Sequence, residues 1–113
     1  MSEVHQPECT PAELSDKLSR SGDLLVLDVR TPEEVYLAAL DGPVVYMPLH
    51  VLPDHLEELA PYRDREIVVV CHHGLRSASA VRYLAEHGFA RAYNLSGGID
   101  AWSRDVDPDV PRY

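Results

Sequence analysis

Only two cysteines, Cys9 and Cys71, occur in the 113 residues. That count allows one disulfide but rules out the bridge-dense framework of a small secreted domain. Positive charge is also scarce: ten Lys and Arg stand against nineteen Asp and Glu, a formal charge of -9. Nucleic acid and anionic bilayers demand a concentrated positive field, so neither is an expected partner. A single anion pocket remains compatible, because it can be built from backbone N–H groups. Long apolar runs are missing too. LLVL at 24–27 and IVVVC at 67–71 fall far short of a membrane span. MSEVHQPECT lacks the basic and apolar regions of a signal peptide, which points to a reducing cytoplasm and an available thiol.

What is present suits one folded domain: 45% apolar and 26% charged residues, with no internal repeat, linker or low-complexity tract. The expected boundaries are a domain over 1–104 and an extended, proline-interrupted tail over 105–113. Short β-rich runs alternate with helical segments, the pattern of an α/β fold. A short edge strand is expected within residues 1–9. Thr10, Pro11 and Glu13 form a capping box with proline at the first helical position. Leu14 and Leu18 share one face of that helix, Glu13 and Lys17 form a surface pair, and Ser21-Gly22-Asp23 ends it.

Residues 24–29 are apolar almost throughout, as a parallel strand covered on both faces must be. Thr31-Pro32-Glu33-Glu34 repeats the capping pattern and predicts a helix over 32–37. A short strand over 44–47 stops before Pro48. Leu52, Leu56 and Leu59 mark the buried face of a helix that exposes Asp54, Glu57 and Glu58. A strand over 67–71 leads to a helix over 76–87 with Ala78, Val81, Leu84 and Ala85 inward and Gly88 as its stop. A strand over 92–95 precedes a tight turn at Gly97-Gly98 and a short helix anchored by Trp102.

The chemistry concentrates in Cys71-His72-His73-Gly74-Leu75-Arg76-Ser77. This stretch follows a buried strand and opens a helix, where open α/β sheets hold their ligands. A curled loop there aims N–H groups at one point, and the helix N-terminus adds partial positive charge. Gly74 supplies the backbone freedom for the curl. Cys71 at the base of this cradle is favoured as thiolate, and the same field stabilises an oxyanion or a terminal persulfide sulfur. Arg76 offers a fixed fork of donors to an oxyanion above Cys71. Ser77 donates to the thiolate or caps the backbone.

Plainer readings stand beside these. Cysteine is a commonly buried residue type, so Cys71 could be a core thiol. His72 and His73 suggest a metal, but no fourth ligand has recognisable spacing, so no metal site is expected. The pair instead displays N–H groups along the loop, with one imidazole near the substrate. Gly97-Gly98 lacks the longer spacing of a phosphate loop. Asp28, two residues before Arg30 at the end of a buried run, is expected to form a buried pair with it. Cys9 reads as a structural thiol, since a resolving role would need it at the pocket mouth. Tyr113 and the tail either cover an apolar surface or meet a partner.

The chain resembles the single-domain rhodanese family of sulfurtransferases. The resemblance is carried by LLVLDVRTPEEV at 24–35, VVYMPL at 44–49, IVVVCHHGLRSASAVRYLAEHGF at 67–89 and AYNLSGGIDAW at 92–102. It implies a three-layer α/β fold, with a central parallel five-stranded sheet flanked by helices. It also implies a nucleophilic cysteine, matched by Cys71, that takes a sulfane sulfur from thiosulfate or a persulfide donor. The sulfur then passes to cyanide, a thiol or a protein acceptor, with no cofactor or metal. Residues 72–76 match the rest of the family's loop, and Ser77 its following serine. Asp28, Arg30 and Glu34 match a charge network that fixes the neighbouring loop. Ala39–Val44 replaces the family's frequent Gly-His-Ile-Pro-Gly-Ala run, so that turn is rebuilt locally. A non-catalytic or sulfur-carrying binding module is the second reading. A cysteine phosphatase or arsenate reductase is the third, disfavoured because phosphatase loops place one residue more between Cys and Arg.

Overall fold

The computed structural model describes residues 7–20 and 23–113. The apolar runs form the centre of one parallel sheet. Its strands are β1 (Glu8–Cys9), β2 (Leu25–Asp28), β3 (Val44–Tyr46), β4 (Ile67–Val70) and β5 (Ala92–Leu95), in the order β1-β5-β4-β2-β3. β2 and β4 are buried at every residue and pair from Leu25↔Ile67 to Asp28↔Val70. Around them lie helices α1 (Pro11–Arg20), α2 (Pro32–Leu37), α3 (Leu75–Glu86) and α4 (Gly98–Asp105), with a 3-10 helix over Leu49–Tyr62.

Alternation along the strands builds two cores. Leu25, Leu27, Ile67 and Val69 pack with Leu52, Leu59, Leu84 and Phe89 on one face. Val26, Val68 and Val70 pack with Cys9, Leu14, Ile99 and Trp102 on the other. The three-layer α/β architecture is therefore as the sequence led us to expect. From β2 the chain winds outward to β3, and from β4 it winds the opposite way to β5. The loops after β2 and β4 thus separate at a switch point, which opens a crevice at the carboxyl edge.

Both capping boxes form. Thr10 Oγ1 accepts the Glu13 N–H at 3.1 Å while Glu13 Oε1 accepts the Thr10 N–H at 2.8 Å. Thr31 and Glu34 repeat the exchange at the start of α2. Four local expectations are corrected. Leu18 is 37% exposed, because the buried side of α1 is confined to Pro11 and Leu14. Lys17 reaches Glu66 at 2.8 Å, since Glu13 is turned back onto its own cap. The segment bearing Leu52 and Leu59 is a 3-10 helix, with Pro53 and Pro61 unable to donate to an α-helical ladder and Leu56 only half-buried. In α3 the buried residues are Ser77, Ala80, Val81 and Leu84, with Ala85 exposed and Ala78 half-buried. Ser77 faces Cys71, and that contact sets the rotation of the helix. Of the expected stop at Ser21-Gly22-Asp23, residues 21–22 lie outside the described residues, as do residues 1–6 of the span 1–9 expected to hold an edge strand. β1 and the end of α1 at Arg20 lie inside the described residues.

Residues 105–113 do not leave the surface as a free extension. Asp105 closes α4, the N–H groups of Val106 and Asp107 both donate to the Trp102 carbonyl at 2.9 Å, and Val110 is buried.

Cys9 and Cys71 are free thiols. Burial, aided by Glu13, pushes the Cys9 thiol up to about 11. A raised folded-state pKa makes its contribution fully present below about pH 9 and lost as pH rises toward about 11. Denaturant unfolding across that range should show the wild type losing up to about 2–3 kcal/mol more than Cys9→Ala does. Parallel pH profiles for the two proteins would refute the assignment.

Candidate active site

β4 ends at Val70 and delivers Cys71 to the crevice with only 1% of its surface exposed. Three residues later Gly74 adopts φ +106°, a left-handed conformation that turns the chain into α3. The turn brings the Gly74 N–H to 3.0 Å from Cys71 Sγ, and Ser77 Oγ lies 3.2 Å from the same sulfur. The loop is held from behind by α4. Ile99 N–H donates to the Cys71 carbonyl at 2.8 Å, and Asp100 N–H donates to that of His72 at 3.1 Å. This approach is possible because residue 98 is glycine: a Cβ there, at φ +63°, would overlap both carbonyl oxygens. Gly97, at φ +74°, completes the turn, where a Cβ would collide with Ala101. Trp102 is buried in the core beneath α4.

A second layer of support comes from Asn94, which sequence reasoning did not single out. Its Nδ2 donates to the Gly74 carbonyl at 3.1 Å and to Glu8 at 3.1 Å, while Oδ1 accepts from Ser77 Oγ. Ser77 therefore has one proton to share between Asn94 and the sulfur. A buried polar side chain within the otherwise apolar β5 was a signal available in the sequence.

Asp28 and Arg30 form the expected pair, fully buried, with Nη2 to Oδ2 at 2.8 Å. Arg30 Nη2 also donates to the Ala38 carbonyl at 2.8 Å, and Nη1 donates to the Tyr113 hydroxyl at 3.0 Å. Burial opposes its charge, but the bonds to Asp28 and Tyr113 outweigh it and raise its pKa. Glu34 does not pair with Arg30 through its carboxylate. It takes Arg76 in a two-pronged bond, at 2.5 and 2.7 Å. That bond holds the Glu34 carboxyl far below the ordinary range, against burial and with help from Tyr113. The Arg76 fork thus rests on Glu34, and Arg76 lines a cleft of about 260 Å³ together with Val29, Thr31, Pro48, Leu49 and His50. His50 is a second residue not singled out from sequence.

Leu75 stands 83% exposed on the rim. His72 and His73 stack with ring centroids 3.9 Å apart. One ligand atom each from His72, His73 and Asp100 lie within 4.8 Å of one another. Arg112 already engages both Asp100 oxygens, at 2.9 and 3.1 Å, and His72 Nε2 lies 2.8 Å from the main-chain oxygen of Tyr113. The trio therefore reads as a hydrogen-bonded, ion-paired rim.

This loop, strand and turn can be set beside known proteins. The family model described as a rhodanese-like domain matches residues 10–105. The chain belongs to the rhodanese-like family. A sulfurtransferase from Allochromatium vinosum is 37% identical over 97 residues, covering 86% of this chain and 88% of its own length. The thiosulfate sulfurtransferase GlpE of Stutzerimonas stutzeri is 32% identical over 91 residues, 80% of this chain and 81% of that protein. The crystal structure of a Staphylococcus aureus rhodanese-like domain protein superposes with a TM-score of 0.80 at 30% identity, covering 96% of this chain and 99% of the other. At the level of the family, these relatives support sulfurtransferase activity for the rhodanese-like domain. Among the described residues, no helix is long and apolar enough to cross a membrane.

Because the α4 turn carries the loop, Gly98→Ala should cost more than about 2 kcal/mol and displace Cys71. Denaturant unfolding, together with the rate of Cys71 alkylation, measures both effects. Unchanged stability would mean that the loop and α4 are not pressed together.

Proposed function

We propose that this domain moves a sulfane sulfur from thiosulfate or a persulfide donor to a thiophilic acceptor through a persulfide on Cys71. The observation that carries this reading is a single sulfur at the switch-point crevice, accepting a main-chain N–H and facing a hydroxyl, at the mouth of a helix. The Cys71 thiolate attacks the outer sulfur of the donor. A new S–S bond forms, the donor's own S–S bond breaks, and sulfite or a thiolate leaves with the electron pair. Cyanide, a small thiol or a protein thiol then attacks the terminal sulfur, takes it, and returns the Cys71 thiolate.

Each surrounding group has a part. The loop N–H groups and the α3 N-terminus stabilise negative charge on the nucleophile and on the persulfide. Ser77 can turn its hydroxyl from Asn94 to the sulfur as charge appears there. Arg76, braced by Glu34, offers its free donors to the anionic part of the donor. Asp28 and Arg30 hold the β2 end of the crevice, while Gly97, Gly98 and Trp102 hold the α4 end. Nothing in this sequence of steps calls for a metal or a cofactor. A cytoplasmic setting would keep Cys71 reduced between turnovers. The four residues between Cys71 and Arg76 make a narrower cradle than a phosphoryl group needs, which favours transferase over phosphatase.

Mass spectrometry after exposure to thiosulfate or cysteine persulfide should find one sulfur atom added at Cys71 and removed by cyanide. The same protein should hydrolyse an aryl phosphate no faster than Cys71→Ser. No added sulfur from either donor, together with Cys71-dependent phosphate release, overturns the reading. Arg76→Ala should slow sulfur uptake from thiosulfate by about tenfold or more while leaving alkylation by a neutral reagent within about twofold. Equal losses in both reactions would show a collapsed loop in place of a lost anion contact.

A further inference from the structure

Tyr113 lies far from the loop in sequence, and no part of the sulfur-transfer scheme uses it. Yet it touches Arg30, Glu34 and His72, each of which borders the site. Its hydroxyl accepts from Arg30 Nη1 at 3.0 Å and donates to Glu34 Oε2 at 2.9 Å. Its ring stacks on His72 with centroids 3.9 Å apart and planes within 8°. Its main-chain oxygen lies 2.8 Å from His72 Nε2. The segment that brings it there is anchored by buried Val110, whose carbonyl accepts from Ser103, and by the Arg112–Asp100 pair. These contacts tie together two ion pairs that are otherwise linked only by the bond from Arg30 Nη1 to the Glu34 main-chain carbonyl, at 3.3 Å, among the described residues. On one side is the buried Asp28–Arg30 pair, and on the other is the Glu34–Arg76 pair.

We infer that Tyr113 is a positioning residue of the sulfur-transfer site, its hydroxyl tying Glu34 to Arg30 so that Arg76 is held in one orientation toward an anionic donor. The activity part rests on the proposed function; the geometric part stands apart from it. Glu34 Oε1 is shared by Thr31 and Arg76, whereas among the described residues Oε2 is bonded by Arg76 and Tyr113. Without the hydroxyl, the carboxylate keeps its Thr31 bonds at Oε1 alone, and Oε2 is left to Arg76, the side chain it is meant to brace. Burial, with Glu34 adding to it against Arg30, raises the phenol's pKa further above its ordinary value. An Arg76 free to swing still carries its charge, but it meets the donor in fewer productive poses. That loss belongs in half-saturation by an anion, and it spares the reaction of the sulfur with neutral reagents.

The full chain with Tyr113→Phe keeps the stacked ring and removes only the hydroxyl. Two measurements are made on it. The first is the ratio of Cys71 alkylation rates by anionic iodoacetate and neutral iodoacetamide, which needs no sulfur transfer. The second is the thiosulfate concentration giving half-maximal persulfide formation. Tyr113→Phe should lower the ratio, as Arg76→Ala is also expected to do, and raise the half-saturating concentration about tenfold, with the limiting rate within about threefold of wild type. Val110→Ala, an uncharged change that loosens the anchored segment, should shift both quantities the same way and serves if Tyr113→Phe folds poorly. A wild-type ratio and half-saturation in Tyr113→Phe overturn the inference. So does impairment of Tyr113→Ala alone, which would assign the effect to the ring. A lowered ratio in a protein that never accepts sulfur would leave the positioning role standing and sink the transfer reading.

Discussion

The main-chain contact between α4 and the loop after β4 governs the site. Two carbonyls, those of Cys71 and His72, are claimed by the N–H groups of Ile99 and Asp100. A planar peptide carries its C=O and N–H on opposite sides, so fixing those carbonyls turns the N–H groups of His72 and His73 away from α4. Gly74 then bends the chain so that its own N–H meets the sulfur. The orphan donors of one helix satisfy the loop that opens another, and only a glycine at 98 allows the approach. The surroundings of Cys71 are therefore built by backbone, and side chains add direction to them.

That direction comes from charges placed at two depths. The Asp28–Arg30 pair has no exposed surface, and Arg30's other bonds run to the Ala38 and Glu34 carbonyls and to the Tyr113 hydroxyl. A buried pair of this kind adds little net stability after desolvation, but its satisfied geometry holds the adjoining chain in one arrangement. Glu34 and Arg76 lie nearer solvent and complete the series. A chain of bonds thus runs from the sheet interior to the rim of the crevice, with the Arg76 cation at its outer end.

The switch-point topology explains why so few residues are enough. All five strands run parallel, so the loops after β2 and β4 emerge on the same edge and part there. Cys71 and Arg76 come from one of those loops and its helix, and Arg30 and Glu34 from the other and its helix. Asn94 and Gly97-Gly98 come from the end of β5, which lies on the other side of β4. Three adjacent strand ends deliver these residues, Pro48–His50 after β3 complete the cleft beside Arg76, and Tyr113 packs on His72.

Much of this was legible in the residues. Both capping boxes, the buried runs of β2 and β4, the glycine turn before α4 and the seven-residue loop from Cys71 to Ser77 each depend on neighbours within a few positions. Hydrogen-bond geometry and side-chain period act at that range, so the order of residues alone determined them. The partner of Arg76 was not legible, because Glu34 is 42 positions away, and neither was the place of Tyr113, 79 positions from the same carboxylate. The rotation of α3 was likewise decided at a distance: Ser77 had to meet Cys71 and Asn94, which turned Ala78 and Ala85 outward from the expected face. Periodicity tells a helix which residues share a side, but only packing against the sheet selects the side that faces in. The sequence by itself determined the order of strands and helices and the place of the Cys71–Ser77 loop. The tertiary structure decided which charges pair, because each long-range pair forms only after the sheet has brought its strand ends to one edge.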